Sequence, residues 1–215
     1  MTQRATRVRQ RPEPEELGPF LTVSRQGGSG GARVARMVGE KLGWTVLDRE
    51  LITEVAERLE LPADLAAMMD ETRSNWVSGI LMSLINSRQV AQGSYVENAA
   101  RVMALTAFDR PVVVVGRGGN LVLPRERGLR VRVVAPREHR IDELARRDEL
   151  EKEAAAERVD ELDRGRSDFI RRHFERDIDD LDLYDLVVDT EAFGVDGAAS
   201  VVLAALEARG LTAAD

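Results

Sequence analysis

Five short apolar runs punctuate the chain, each closed by a polar or glycine-rich break and followed by residues at helical spacing. They lie at 20–24, 44–47, 111–115, 129–134 and 184–188. The third, Val112-Val113-Val114-Val115, is β-branched and unbroken, the pattern of a strand buried on both faces. In the fourth, Arg130 and Arg132 alternate with apolar residues and are expected to point outward. After the first run, Val34, Met37, Val38 and Leu42 share one helical face, and Gly43 ends the pattern as a C-terminal glycine. After the second, Leu51, Ile52, Val55 and Leu59 are expected to face inward, with Asp48 able to cap that helix. Residues 61–107 show no strand pattern and predict helices over 62–69, 75–85 and 95–108. This block reads either as a lid or substrate-binding subdomain or as ordinary crossover helices. A densely charged helical region over 136–172 and a last helix over 197–209 complete the chain. Strands alternating with helices predict a three-layer α/β domain with a parallel sheet.

Composition narrows the function classes. The chain has 215 residues, enough for one α/β domain with a small insertion. Its net charge of −7 argues against a nucleic-acid binder, which would carry a basic field. No cysteine is present, so neither a disulfide framework nor thiolate chemistry is expected. Residues 1–18 are basic and then Pro/Glu-rich, without an apolar core of signal-peptide type, and are expected to form a disordered tail ahead of a single domain at 19–215. A basic arm that binds a partner is the other reading of the tail. No run is long enough to suggest a membrane span, and a cytoplasmic location is expected.

The break after the first strand, Ser24-Arg25-Gln26-Gly27-Gly28-Ser29-Gly30-Gly31, is the chief chemical signal. A glycine loop between strand and helix can turn its N–H groups toward an anion at the helix start, although such loops also occur as plain turns. Against the Walker A pattern, Arg25 falls at the first Gly, Gly30 at the second, Gly31 at the Lys and Ala32 at the Ser/Thr. The third strand ends in Gly116-Arg117-Gly118-Gly119, where an arginine between glycines suits phosphate binding. Asp48 sits just past the second strand, where open α/β sheets place ligands. Asp163-Arg164-Gly165-Arg166 sets two cations around a glycine in a helical region, as a phosphoryl-transfer lid requires. His139 and His173 stand alone and suggest no metal site.

Together, SRQGGSGG (24–31), LDRELI (47–52), MDET (69–72), VVVVGRGGNLVL (112–123), APREHRIDELARR (135–147), LDRGRSDF (162–169) and YDLVVDT (184–190) occur in an order that resembles the cytidylate kinase-like family of P-loop nucleoside monophosphate kinases. The resemblance implies a five-stranded parallel sheet of order 2-3-1-4-5, a helical NMP-binding insert at 61–107 and a helical lid at 137–173. It implies ATP with Mg²⁺ as donor and CMP or dCMP as acceptor. Small-molecule nucleotides are then the partners, not nucleic acid or membrane, and a homodimer is an open option. Gly27, Gly28, Ser29, Gly30, Gly31 and Ala32 would line the donor phosphates, and Arg140 would stack on the adenine. Asp48 and Arg117 would face the acceptor, and Asp163, Arg164 and Arg166 would belong to the lid's catalytic group. The family's Asp after the third strand is replaced by Gly118 or Gly119. Arg25 is expected to swing over the loop and replace the missing Lys, with Arg33 a poorer candidate. The other function class is a nucleotide-binding regulatory protein with little turnover.

Overall fold

The computed structural model describes residues 18–48, 50–52, 79 and 95–212. Among these, the five strands are β1 (Phe20–Arg25), β2 (Thr45–Leu47), β3 (Val112–Val115), β4 (Gly128–Val134) and β5 (Leu186–Asp189). All pair in parallel, in the order β2-β3-β1-β4-β5. This is the expected order 2-3-1-4-5, and it puts β1, which feeds the glycine loop, at the centre. Most of the expected insert, including MDET, lies outside the described residues, as do the tail and the positions of Val55 and Leu59. The described part of the insert is one helix, α2 (Tyr95–Asp109).

Alternation along the strands builds two cores. Phe20, Val112 and Val114 face one side, where α2 and the end of the long helix α5 (Lys152–Phe174) cover them with Met103, Ile170 and Phe174. Leu21, Val23, Val113 and Val115 face the other side, under α1 (Gly31–Leu42) and α6 (Thr190–Ala208). Burying both faces explains the near-continuous valine in β3. A third cluster, Ile141, Leu144, Ala155 and Val159, joins α4 (Arg137–Asp148) to α5. A short helix, α3 (Gly119–Val122), follows β3 directly.

Three local expectations are corrected. Arg130 and Arg132 do not point into solvent: they are 7% and 5% exposed. Arg130 donates to Asp185 and Arg132 to Asp179, so carboxylates distant in sequence make their burial tolerable. Leu51 is exposed while Ile52 is buried. The last helix starts earlier than 197, at Thr190, because the backbone is helical on both sides of a kink at Gly194, where φ is 66°.

Candidate active site

β1 delivers the chain into the glycine loop, and α1 starts at Gly31. Gly30 precedes it in the left-handed region, no side chain caps the helix, and no acidic residue lies in its first turn. The helix start therefore offers its backbone N–H groups and positive dipole end to an anion. The loop is braced from both sides. Ser29 is buried, its hydroxyl donates to the Gln26 carbonyl, and its own carbonyl accepts from Thr190 Oγ1 at 2.8 Å. Gln26 Oε1 accepts from the Ala135 N–H. Ser29 and Thr190 thus serve the loop's shape.

Helix α5 clasps the loop through Asp163. Its Oδ1 accepts from the Gly27 N–H at 2.6 Å, and its Oδ2 accepts from Arg140 Nη1 at 2.6 Å. Arg140 also donates to the carbonyls of Gly27 and Ala135 and is 7% exposed. A guanidinium buried and committed in this way is a strut between loop, α4 and α5. With its side chain 8% exposed, little of its surface is left for the expected stacking on an adenine.

Next to the loop, a cavity of about 450 Å³ opens at the carboxyl ends of β1 and β3, against α5. Arg25 from β1, Arg117 from the β3 exit, and Arg158 and Arg166 from α5 line it, with Glu161 as the acidic member of its wall. Burial, reinforced by the nearby charges of Arg25, Arg132 and Arg140, lowers the Arg166 pKa to about 10. Arg166 Nη1 donates to the Arg25 carbonyl at 3.3 Å. Arg117 is held between two rings, its guanidinium carbon 5.3 Å from the Tyr95 centroid and 5.0 Å from that of Phe169. Its φ of 52° lies between the left-handed Gly116 and Gly118. Three such residues in succession turn the chain sharply out of β3 and hold the side chain over the cavity, at some local strain.

Not every expected residue reaches this place. Arg164 is exposed on α5 and is not part of the cavity wall. Asp48 spends its carboxylate capping the next helix, accepting from the Leu51 N–H at 3.0 Å. Arg33 is exposed on α1. Arg25 does not swing over the loop: its stem lies against Gly31 and its guanidinium reaches Gly116. The reading of the sequence missed Arg158, Tyr95 and Phe169. For Arg158 a signal existed, since 158, 162, 166 and 169 fall on one helical face. Nothing marks Tyr95 as a cover for an arginine on a distant turn.

The site's departures from the P-loop pattern have steric grounds. A Cβ at Gly118 would run into the Phe174 ring, and one at Gly119 would lie 2.7 Å from Val114 Cγ1. Neither place can hold the family's Asp as the chain now packs. Among the described residues, no group of three or more His, Asp or Glu side chains could hold a metal. Ala32 has no hydroxyl, Ser29 is buried beneath the loop with its hydroxyl turned to the Gln26 carbonyl, and Asp163 is bonded to Gly27 and Arg140. The described loop therefore does not fit a Mg²⁺ held by protein side chains.

A model of the cytidylate kinase-like family matches residues 20–192. The chain belongs to the cytidylate kinase-like family. A cytidylate kinase from Methanocaldococcus jannaschii is 27% identical over 112 residues, which cover 46% of this chain and 63% of that protein. The match thus spans less than two thirds of that relative. The fold is similar to that of an uncharacterized protein from Eubacterium ventriosum, with a TM-score of 0.62 at 16% identity, covering 88% of this chain and 98% of that one. A shikimate kinase from Acinetobacter baumannii, crystallised with shikimate, superposes with a TM-score of 0.46 at 17% identity over 91% of this chain and 97% of its own. Among the described residues, no helix is long and apolar enough to cross a membrane.

Proposed function

We propose that this protein transfers the γ-phosphoryl group of ATP to a nucleoside monophosphate, with CMP or dCMP as the acceptor. The observation that supports this most is the cavity into which three separate elements send Arg25, Arg117 and Arg166 beside an uncapped glycine loop. Phosphoryl transfer asks a protein mainly for alignment and charge neutralisation, and guanidinium groups supply both. The N–H groups of Gly28, Gly30 and Gly31 hold the donor β-phosphate; that of Ser29 donates to the Gln26 carbonyl. Arg117, stiffened by its two rings, takes the acceptor phosphate in its planar fork. An acceptor phosphate oxygen attacks the γ-phosphorus in line, and the bond from that phosphorus to the bridging oxygen breaks. ADP leaves, and a dianionic acceptor has no proton to lose. Arg166 and Arg25 face the charge of the moving group. Asp163 positions Gly27 and Arg140 and takes no part in bond making. Arg164, exposed on the lid, stands outside this constellation.

Gly31 and Ala32 favour a second reading, a nucleotide-binding regulator with little turnover. ADP release measured with ATP·Mg²⁺ across all NMPs and dNMPs separates the two. Turnover with CMP or dCMP above the other acceptors is expected; ATP binding with no acceptor-dependent ADP release would establish the regulator. Arg117→Ala is expected to weaken acceptor binding by about 2–5 kcal/mol, the range for unpairing a desolvated charge. Unchanged acceptor affinity in that variant would place the acceptor elsewhere.

A further inference from the structure

We propose that the phosphate loop's cation has been transposed along the chain, so that Arg25, at the loop's first position, does from the strand side what a side chain at position 31 does in the ordinary pattern. The inference rests on the kinase reading above and goes further, because it names the group that meets the outermost donor phosphate.

Space carries the argument. A Cβ at Gly31 would lie 2.5 Å from Arg25 Cβ, 3.3 Å from Arg25 Cγ and 3.0 Å from Val133 Cβ. Real side chains do not approach so closely, so the first turn of α1 has room for one stem there, and Arg25 owns it. The reverse holds at the loop's first position. A glycine there would vacate most of the volume that a side chain at 31 needs, leaving Val133 Cβ to give way by a few tenths of an ångström. Residues 25 and 31 therefore form an exclusive pair: large and Gly, or Gly and large. This chain has the first arrangement.

The far end of Arg25 fits the same account. A Cβ at Gly116 would collide with Arg25 Nη1, so the guanidinium lies against the bare backbone of the β3 exit. It thus spans from the start of α1 to the turn that carries Arg117, and it lines the cavity with Arg117 and Arg166. The Arg166 bond to the Arg25 carbonyl pins the backbone from which the stem departs. Two glycines, at 31 and 116, are explained by one side chain. An arginine spreads its charge over a planar fork and reaches further than a lysine, which suits a stem that starts one strand away.

The test is a cycle of full-length variants: Arg25→Gly, Gly31→Lys and the two combined. Arg25→Met keeps a stem on Gly31 while removing the charge, in case Arg25→Gly folds poorly. ATP and ADP affinities come from displacement of a fluorescent ATP analogue, and melting temperature is followed alongside. Arg25→Gly and Arg25→Met are each expected to lower the ratio of ATP to ADP affinity by 10-fold or more, since the lost cation faces the outermost phosphate. Gly31→Lys alone is expected to melt earlier and to bind either nucleotide poorly. The double variant is expected to recover both melting temperature and ATP preference relative to Gly31→Lys. A parent-like ATP-to-ADP ratio in Arg25→Met, or a double variant no better than Gly31→Lys, would overturn the transposition. These readouts stand apart from turnover. A parent without NMP-dependent ADP release but with the ratio change would sink the kinase reading and keep the transposition. A parent with turnover and a parent-like ratio in Arg25→Met would do the opposite.

Discussion

Arg166 is a cation that the ligand-free protein holds at a loss. Its pKa falls from the ordinary guanidinium range to about 10, chiefly because it is buried and then because Arg25 repels it. At about 1.4 kcal/mol per unit, that difference amounts to about 3 kcal/mol against the charged form. The sign follows from proton counts. The folded protein releases the Arg166 proton near pH 10 and the unfolded chain only at higher pH, so stability rises with pH above about 10 and the full penalty applies below it. Arg166→Met removes the penalty at neutral pH. It also loses the hydrogen bond to the Arg25 carbonyl, worth about 1–2 kcal/mol, while the 3.7 Å ion pair with Asp163 is already counted in the lowered pKa. Asp163 keeps Gly27 and Arg140 as partners, so no charge is stranded. The expected net is a gain of about 1–2 kcal/mol, or about 2–8 °C in melting temperature for a domain of this size. The assay is thermal melting at low ionic strength, with and without inorganic phosphate. The parent should gain more from phosphate than the variant does, because the anion relieves the repulsion that the variant has already lost. A variant that melts below the parent with an unchanged phosphate response would refute the reasoning.

Gly118→Asp, which restores an acid of the family pattern, should cost at least 1–3 kcal/mol in urea unfolding, since its side chain meets Phe174 and its φ is 72°. Adding Phe174→Ala should not rescue it fully, because the core loses a fully buried ring. Asp185 holds Arg130, whose side chain is buried, and also Arg125 and Arg209. Asp185→Ala should therefore cost about 3–5 kcal/mol by stranding a buried guanidinium, with acceptor affinity unaffected. Burial by itself raises the Asp185 carboxyl, but hydrogen bonds from Arg130 and Arg125 bring it below its ordinary value. Its contribution is present above the unfolded pKa and lost as pH falls through the folded one, so Asp185→Asn should flatten the loss of stability below about pH 4.

The sheet was legible because both faces are buried: four strands start and end within a residue of the apolar runs that predict them. β5 starts two residues late because Tyr184 and Asp185 are used as anchors, the phenol donating to the Ile178 carbonyl and the carboxylate accepting from Arg130. The alternation in β4 gave the right strand but the wrong environment for its arginines. Periodicity shows that Arg130 and Arg132 share a face and is silent on whether Asp179 and Asp185 will meet them there. At the site, the glycines were readable as a loop, whereas the course of Arg25 was not. Which way a long side chain leaves a strand depends on the space left by Gly31 and Gly116, and the latter belongs to another strand. Arg140 misled for a related reason: a position near the lid's start fits a nucleotide face or an internal strut equally well, and the three acceptors that decide it come from separate segments.

The bond between Gly27 and Asp163 gives this chain an internal clock. One backbone proton bridges segments 136 residues apart in sequence. It cannot exchange with solvent deuterium while the carboxylate holds it, so its protection from exchange reports how often the bond between loop and α5 breaks. The amide of a single glycine therefore reads how firmly α5 is fastened to the loop, with no nucleotide and no label present.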